Sequence, residues 1–183
     1  MPIIYGLVAR GSVLLAEHCA STGNYQTVVT HILEKIPDDG QNSKMTYVYD
    51  RYLFHYIKRD GLVYMCLADD VFGRRIPFAF LDDIAQKFEA AYTHERALSS
   101  IAYGLNEFSK VIAQQMEYYS NPSSDSIRHV QGEIEVVKDV MVSNIEKVLE
   151  RGERIDILVD KTDSLNHASF AFKKRSTALR RQM

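Results

Sequence analysis

Cysteine is scarce in this chain of 183 residues, since Cys19 and Cys66 are the only two. They form neither a paired metal-ligand spacing nor a disulfide framework, so a reducing cytosolic setting is the expectation. Strong charge of one sign is also lacking: the formal net charge is −2, whereas nucleic-acid-binding domains usually carry a large basic excess. No run approaches the roughly 18 apolar residues that span a bilayer, so the chain as given is expected to be soluble.

Residues 1–120 combine short apolar runs with helical periodicity. Strands are predicted at residues 3–9, 12–18, 44–49, 52–59 and 62–68, with Asp60-Gly61 as the clearest hairpin turn. Helices are predicted at residues 24–36, 78–92 and 98–119. Because the hairpins leave no crossover for a parallel sheet, this order predicts an α+β domain with a five-stranded antiparallel sheet flanked by helices.

Residues 121–126 are small and polar, which predicts a linker between this domain and a second unit at 127–183. In the second unit, positions spaced alternately three and four apart are mostly large and apolar, and they form a seam typical of a coiled-coil helix. The seam positions are Ile127, Val130, Ile134, Val137, Met141, Asn144, Val148, Arg151, Ile155, Leu158, Thr162, Leu165, Ser169, Phe172, Ser176 and Leu179.

The seam has no partner of matching length within the chain, so we expect it to become fully helical only on assembly with other helices. Arg151 interrupts the apolar stripe between Val148 and Ile155. It either extends out of the stripe to water, or it forms a buried layer in which neutral amides from three partner helices accept its hydrogen bonds. In the second case Arg151 fixes the register of the bundle.

Catalytic and metal-binding patterns are weak. Cys66 and His55 lie on neighbouring predicted strands, but a lone cysteine on an apolar strand is usually a small core residue. The pairs Asp69-Asp70 and Asp82-Asp83 fit a strand end and a solvated helix face better than a metal site. No catalytic residue, metal or cofactor is therefore predicted. A basic-zipper DNA-binding protein is disfavoured because the heptads follow a neutral linker.

Three stretches carry a family resemblance. Residues 148–155, VLERGERI, resemble the centre of an arginine-type SNARE motif, and the similarity extends over residues 140–175. Residues 4–11, IYGLVARG, and 52–57, YLFHYI, resemble a longin domain, a profilin-like fold. Together they resemble the longin-domain R-SNAREs, the vesicle-associated membrane proteins of the tetanus-insensitive, endosomal and lysosomal type.

The resemblance implies a vesicle SNARE that drives membrane fusion through a parallel four-helix bundle with three glutamine-type helices from syntaxin- and SNAP-type partners. It implies a C-terminal transmembrane anchor on endosomal, lysosomal or secretory vesicles, with a juxtamembrane basic segment at Lys173, Lys174, Arg175, Arg180 and Arg181. A dimeric coiled-coil scaffold or trafficking adaptor that does not drive fusion is the alternative.

The resemblance also implies that the longin domain binds its own SNARE motif or trafficking adaptors in one hydrophobic groove. Met45 and Tyr47 are the residues that we expect to line this groove, although simple core alternation would also explain them. Val137, Met141 and Ile145 are expected on the returning face of the SNARE motif.

Overall fold

The computed structural model describes residues 3–21, 23, 25–37, 39–70, 73–121 and 140–148. Its sheet has six strands in the order β2-β1-β5-β4-β3-β6. The strands are β1 (Ile3–Arg10), β2 (Val13–Cys19), β3 (Ser43–Tyr49), β4 (Tyr52–Arg59), β5 (Leu62–Asp69) and β6 (Met141–Asn144). The helices are α1 (Tyr25–Lys35), α2 (Arg75–Ala91), α3 (His94–Ser99) and α4 (Ser109–Ser120), with 3-10 helices at Asn106–Phe108 and Ile145–Val148.

The five strands of the first 70 residues pair antiparallel throughout, which confirms the predicted sheet. The predicted turn between β4 and β5 is also confirmed: φ is 51° at Asp60 and 82° at Gly61. Positive φ at both central turn residues matches the twist of the flanking strands. This local chemistry fixes the register in which β4 and β5 meet.

The sheet separates two apolar clusters, one on each face. Helices α2 and α4 cover one cluster, which contains Phe78, Phe88 and Ile112, and α1 covers the other with Val28 and Ile32. At Gly6, a Cβ atom would lie 2.9 Å from Cγ2 of Ile112. Glycine therefore lets α4 pack directly on β1.

The helix predicted over residues 98–119 is wrong as one continuous element. It divides into the short α3 and the later α4, and the connection between them includes Tyr103 with φ of 60°. The guanidinium of Arg10 donates hydrogen bonds to the backbone oxygens of Ala97 at 3.1 Å and Ser100 at 2.7 Å. Because these long-range bonds satisfy carbonyls at the end of α3, the helix can stop there.

The sixth strand comes from the stretch that the sequence assigns to the coiled-coil seam. Met141–Asn144 pairs parallel with β3, with Met45 opposite Met141 and Val48 opposite Asn144. The 3-10 helix Ile145–Val148 follows directly. Four residues are too few to show a strand period, and their pairing depends on an exposed strand edge far away in the sequence.

Candidate fold-back interface

The strand that receives β6 presents different side chains to the two faces of the sheet. Met45 and Tyr47 are partly buried and pack against the cluster beneath α1. Thr46, on the opposite face, is almost fully buried. Both predicted groove residues therefore lie on the edge strand to which residues 141–144 add, and each is directly opposite a β6 residue in the parallel register.

Ile145 supplies the main side-chain anchor of the returning segment. It is only 3% exposed and belongs to the same apolar cluster as Val28, Val29 and Ile32 of α1. The Oδ1 atom of Asn144 accepts a hydrogen bond of 2.9 Å from the backbone N–H of Glu146. This bond turns the chain at the end of β6, as aspartate and asparagine side chains commonly do in turns. Ile145, between the two bonded residues, lies in the groove.

Met141 and Val142 are each more than half exposed, with exposures of 56% and 54%. Met141 lies at the contact, directly opposite Met45 in the parallel register, although more than half of its surface is exposed. Val140, just before the strand, packs partly against the cluster under α2 and α4. The sequence signal for this contact is the short run Val140-Met141-Val142, whose β-branched ends favour a strand.

Most other predicted site residues lie outside the described residues. Val148 belongs to the 3-10 helix, and its side chain lies outside the described part of the chain. The seam and basic residues outside the described ranges are Ile127, Val130, Ile134, Val137, Arg151, Ile155, Leu158, Thr162, Leu165, Ser169, Phe172, Ser176, Leu179, Lys173, Lys174, Arg175, Arg180 and Arg181.

His55 and Cys66 are directly opposite each other on β4 and β5, but their environment disfavours a nucleophilic pair. Both are fully buried. Burial raises the pKa of the Cys66 thiol, and burial together with the charge of Arg74 lowers the pKa of His55 to about 3. A reactive cysteine needs shifts in the opposite directions, because the thiolate is the nucleophile.

The acidic pair Asp82-Asp83 on α2 is engaged in ordinary surface contacts. Asp82 accepts a 2.8 Å hydrogen bond from Arg59, and Asp83 accepts bonds of 2.8 Å from Lys87 and Tyr119. Within the described part of the chain, no three His, Cys, Asp or Glu side chains are grouped so that they could hold a metal ion. None of its helices is both long and apolar enough to cross a membrane.

The buried His55 predicts a loss of stability in mild acid. Its pKa falls from 6.5 to about 3 on folding. The contribution of the neutral imidazole to the free energy of unfolding is therefore complete above pH 6.5 and is lost as the pH falls towards 3. At pH 5 the expected loss is about 2 kcal/mol relative to pH 8. Urea unfolding at both pH values should show a smaller loss in His55→Gln than in the parent chain and in the exposed-site control His94→Gln. Equal losses in all three proteins would contradict the prediction.

Known protein families match both halves of the chain. The family model for the longin domain, described as a regulated-SNARE-like domain, matches residues 15–112. The synaptobrevin family model matches residues 126–183.

Several relatives match over nearly the whole of this chain. Vesicle-associated membrane protein 714 of Arabidopsis thaliana is 47% identical, over 100% of this chain and 83% of its own length. Vesicle-associated membrane protein 7B of Dictyostelium discoideum is 47% identical, over 98% of this chain and 69% of its own length. Vesicle-associated membrane protein 7 of Homo sapiens is 42% identical, over 100% of this chain and 83% of its own length.

This family consists of trafficking proteins and is not an enzyme family, and its synaptobrevin-type motif implies glutamine-type SNARE partners. The chain belongs to the longin-domain vesicle-associated membrane proteins, the R-SNAREs, and has the vesicle-fusion role of that family.

Proposed function

We propose that the pairing of β6 with β3 is an autoinhibited state of this R-SNARE, in which the longin domain withholds part of the SNARE motif from its partners. The observation that carries the proposal is the parallel register of Met141–Asn144 on Met45–Val48, together with the burial of Ile145. Since residues 141–148 contribute to the seam, they cannot be strand and bundle helix at the same time. Assembly beyond this point requires that β6 leave the sheet.

The fold-back contact is strong enough to delay assembly of the bundle and too weak to prevent it. Four paired residues and one buried isoleucine stabilise the closed state by about 2–5 kcal/mol. The apolar seam positions, once buried in a bundle, contribute on the order of 15–30 kcal/mol before ordering costs. Complete zippering therefore outweighs the fold-back contact, while the opening step slows the rate at which zippering proceeds.

The fusion step itself uses the whole seam. Residues 127–179 pair in parallel with three glutamine-type helices from syntaxin- and SNAP-type partners, and zippering from residue 127 towards residue 179 draws two bilayers together. Arg151 provides the polar layer that sets the register. A C-terminal anchor holds the protein on the cytosolic face of endosomal, lysosomal or secretory vesicles, and the basic residues 173–175 and 180–181 face anionic lipid.

Sorting uses the same groove as the fold-back contact. An adaptor that binds beside Met45 and Tyr47 competes with β6, so adaptor binding and SNARE-motif release are coupled. The edge of β3 offers unpaired backbone groups whenever β6 leaves, which suits recognition of an extended adaptor segment by strand addition. An adaptor of this kind binds the open form more tightly than the closed form.

The test is the rate at which the chain assembles with three glutamine-SNARE helices. Met45→Ala combined with Tyr47→Ser should speed assembly about tenfold or more, because both changes remove contacts from the cluster that receives Ile145. Stopped-flow fluorescence transfer between labelled helices measures the rate. Equal rates for variant and parent would contradict autoinhibition.

A control is needed because Tyr47 also contacts the domain itself, with its ring centroid 6.5 Å from that of Tyr56. The thermal unfolding of residues 1–121 should therefore be measured for the same variants. A faster assembly is assigned to opening only where the domain remains folded at the assay temperature. Replacement of the exposed Leu98, on the opposite face of the sheet from α1, provides a surface control that should leave the rate unchanged.

A further inference from the structure

A cavity of about 340 Å³ opens between the β4–β5 turn, the end of α2 and the start of α3. Its lining includes Asp60, Leu62, Phe88, Glu89, Tyr92 and His94. Leu62 and Phe88 belong to the apolar cluster under α2 and α4, whereas Ile145 belongs to the cluster on the other face of the sheet. The cavity is therefore separate from the fold-back interface.

One wall of the cavity is aromatic. The ring centroids of Phe88 and Tyr92 are 4.9 Å apart, and Phe108 supports both rings at 5.1 and 6.1 Å. The guanidinium carbon of Arg96 lies 5.1 Å from the centroid of Tyr92. Aromatic faces attract cations through their quadrupole, and this ring already does so with a side chain of the same domain.

The rim of the cavity is acidic. Asp60 and Glu89 both line it, and Arg59, the basic group paired with Glu89, is 2.8 Å from Asp82 but 4.0 Å from Glu89. Arg59 is thus engaged mainly by a carboxylate outside the cavity. Glu107 adds negative charge close by, since its hydrogen bond and charge help to raise the pKa of Tyr92. The local carboxylates exceed the cations that face them.

A buried hydroxyl stands behind this wall. Tyr64 is fully buried, its ring packs edge-on against Phe88 with centroids 6.0 Å apart, and its hydroxyl has no hydrogen-bond partner in the described part of the chain. Burial and the charges of Glu89 and Asp60 raise its pKa, so the hydroxyl lies in the field of the same two carboxylates. Buried polar groups without a partner are rare in folded proteins, and a group bound nearby is one explanation for them.

We propose that this cavity binds a basic side chain, lysine or arginine, of a partner protein. The aliphatic stem would pack on Phe88 and Tyr92, and the charged end would meet Asp60 and Glu89. An acidic rim is unfavourable against the anionic cytosolic surface of a membrane, which favours a protein over a lipid as the source of the cation. The exposed Leu98, beside the β4–β5 turn, extends the surface with apolar area that suits a protein contact.

Because the site and the groove lie on opposite faces of the sheet, a partner held here stays bound whether the SNARE motif is closed or open. This site therefore adds a docking point that does not compete with β6, unlike an adaptor in the groove. Binding should have the same strength in the parent chain and in Ile145→Ala, in which the fold-back anchor is removed.

The experiment is an NMR titration of the full ¹⁵N-labelled chain with Nα-acetyl-lysine N-methylamide and its arginine counterpart. The matched probe is the norleucine amide, which has the same stem and no charge. We expect both basic probes to shift the amides of Leu62, Thr93 and His94, and the norleucine amide to leave them unchanged. Shifts of equal size with norleucine would overturn the proposal.

Two double variants sharpen the result. Asp60→Asn with Glu89→Gln should weaken binding of the lysine amide about tenfold, at two- to fivefold for each exposed carboxylate. The control is Asp50→Asn with Glu34→Gln, which changes the net charge equally and places asparagine at another turn of positive φ, 55° at Asp50. Equal affinity in both double variants would overturn the proposal. So would phosphatidylcholine vesicles that shift these amides where the amino-acid amides do not, because the cavity would then be a headgroup site.

Discussion

Replacing Ile145 with alanine is expected to speed assembly with the three glutamine-SNARE helices about thirtyfold and to leave the finished bundle nearly as stable as before. The side chain is 3% exposed in the closed state, where it fills the groove beneath α1. Its truncation should cost the closed state about 2 kcal/mol, which corresponds to roughly thirtyfold in the opening equilibrium. Ile145 is not one of the predicted seam positions, so the bundle should lose much less.

Met141→Ala is the matched control for this prediction. Met141 is 56% exposed in the closed state, where it is paired with Met45 at the sheet edge, but it is a predicted core position of the bundle. Its truncation should leave the opening equilibrium unchanged and lower the stability of the bundle by about 2 kcal/mol. The two variants thus act on different states, although they are four residues apart on the same segment.

Two measurements separate these effects. Hydrogen exchange of the β3 amides in the free chain reports how often β6 leaves, and it should quicken in Ile145→Ala alone. Thermal unfolding of the assembled complex measures the stability of the bundle. The unfolding temperature should be lowered mainly in Met141→Ala. Faster exchange in both variants, or in neither, would contradict an interface anchored by Ile145.

The sheet of the longin domain could be predicted because its signals are local. The alternation within β1 to β5 and the turn at Asp60-Gly61 each depend on a few adjacent residues, and all five strands were predicted within a few residues of their ends. An Asp-Gly dipeptide predicts a hairpin turn with positive φ at both residues, and Asp60 and Gly61 have such values. Short connections fix the pairing of β1 with β2 and of β4 with β3 and β5, whereas the pairing of β1 with β5 joins strands that are distant in the sequence.

The break between α3 and α4 could not be predicted because its cause is distant in the sequence. Arg10 bonds to carbonyls some 90 positions later, and the backbone N–H of Tyr103 donates to the oxygen of Leu14. Between these contacts, Leu98 and Ile101 continue an apolar pattern that favours helix, although both are exposed. Tertiary hydrogen bonds here override local helical preference.

The strand β6 escaped prediction for a different reason: the same residues must serve two structures. The heptad period of the seam describes the assembled helix, and it dominates the pattern around Met141 and Asn144. Only the short run Val140-Met141-Val142 favours a strand. The groove residues Met45 and Tyr47 were predicted from the resemblance, whereas the parallel register and the role of Asn144 at the strand end required the coordinates.

The acidic cavity at the β4–β5 turn was not predicted at all. Its residues come from β5, α2 and α3, and each has an ordinary role in the linear pattern: a turn aspartate, core leucine and phenylalanine, and a surface glutamate. Only the tertiary packing brings the aromatic wall and the carboxylates together.

Replacing Arg151 with leucine is expected to preserve helical bundles while removing most of their choice of register. A guanidinium displaced by one heptad would be buried among aliphatic side chains, at a cost of about 3–5 kcal/mol. The parent chain should therefore prefer correctly aligned glutamine helices by at least about a hundredfold, and Arg151→Leu should reduce this preference to less than about tenfold. The matched control is Arg154→Leu, the same chemical change three residues away and outside the seam.

The measurement is a competition between glutamine-SNARE helices of natural alignment and helices in which the central glutamine is moved by one heptad. Fluorescence transfer between labels at the helix ends distinguishes the two registers. Arg154→Leu should retain the preference of the parent chain, since position 154 only flanks the seam in the predicted helix and its side chain can extend to water. If Arg151→Leu also retained it, Arg151 would lie at a tolerant edge of the seam, and the aliphatic positions on either side would set the register by themselves.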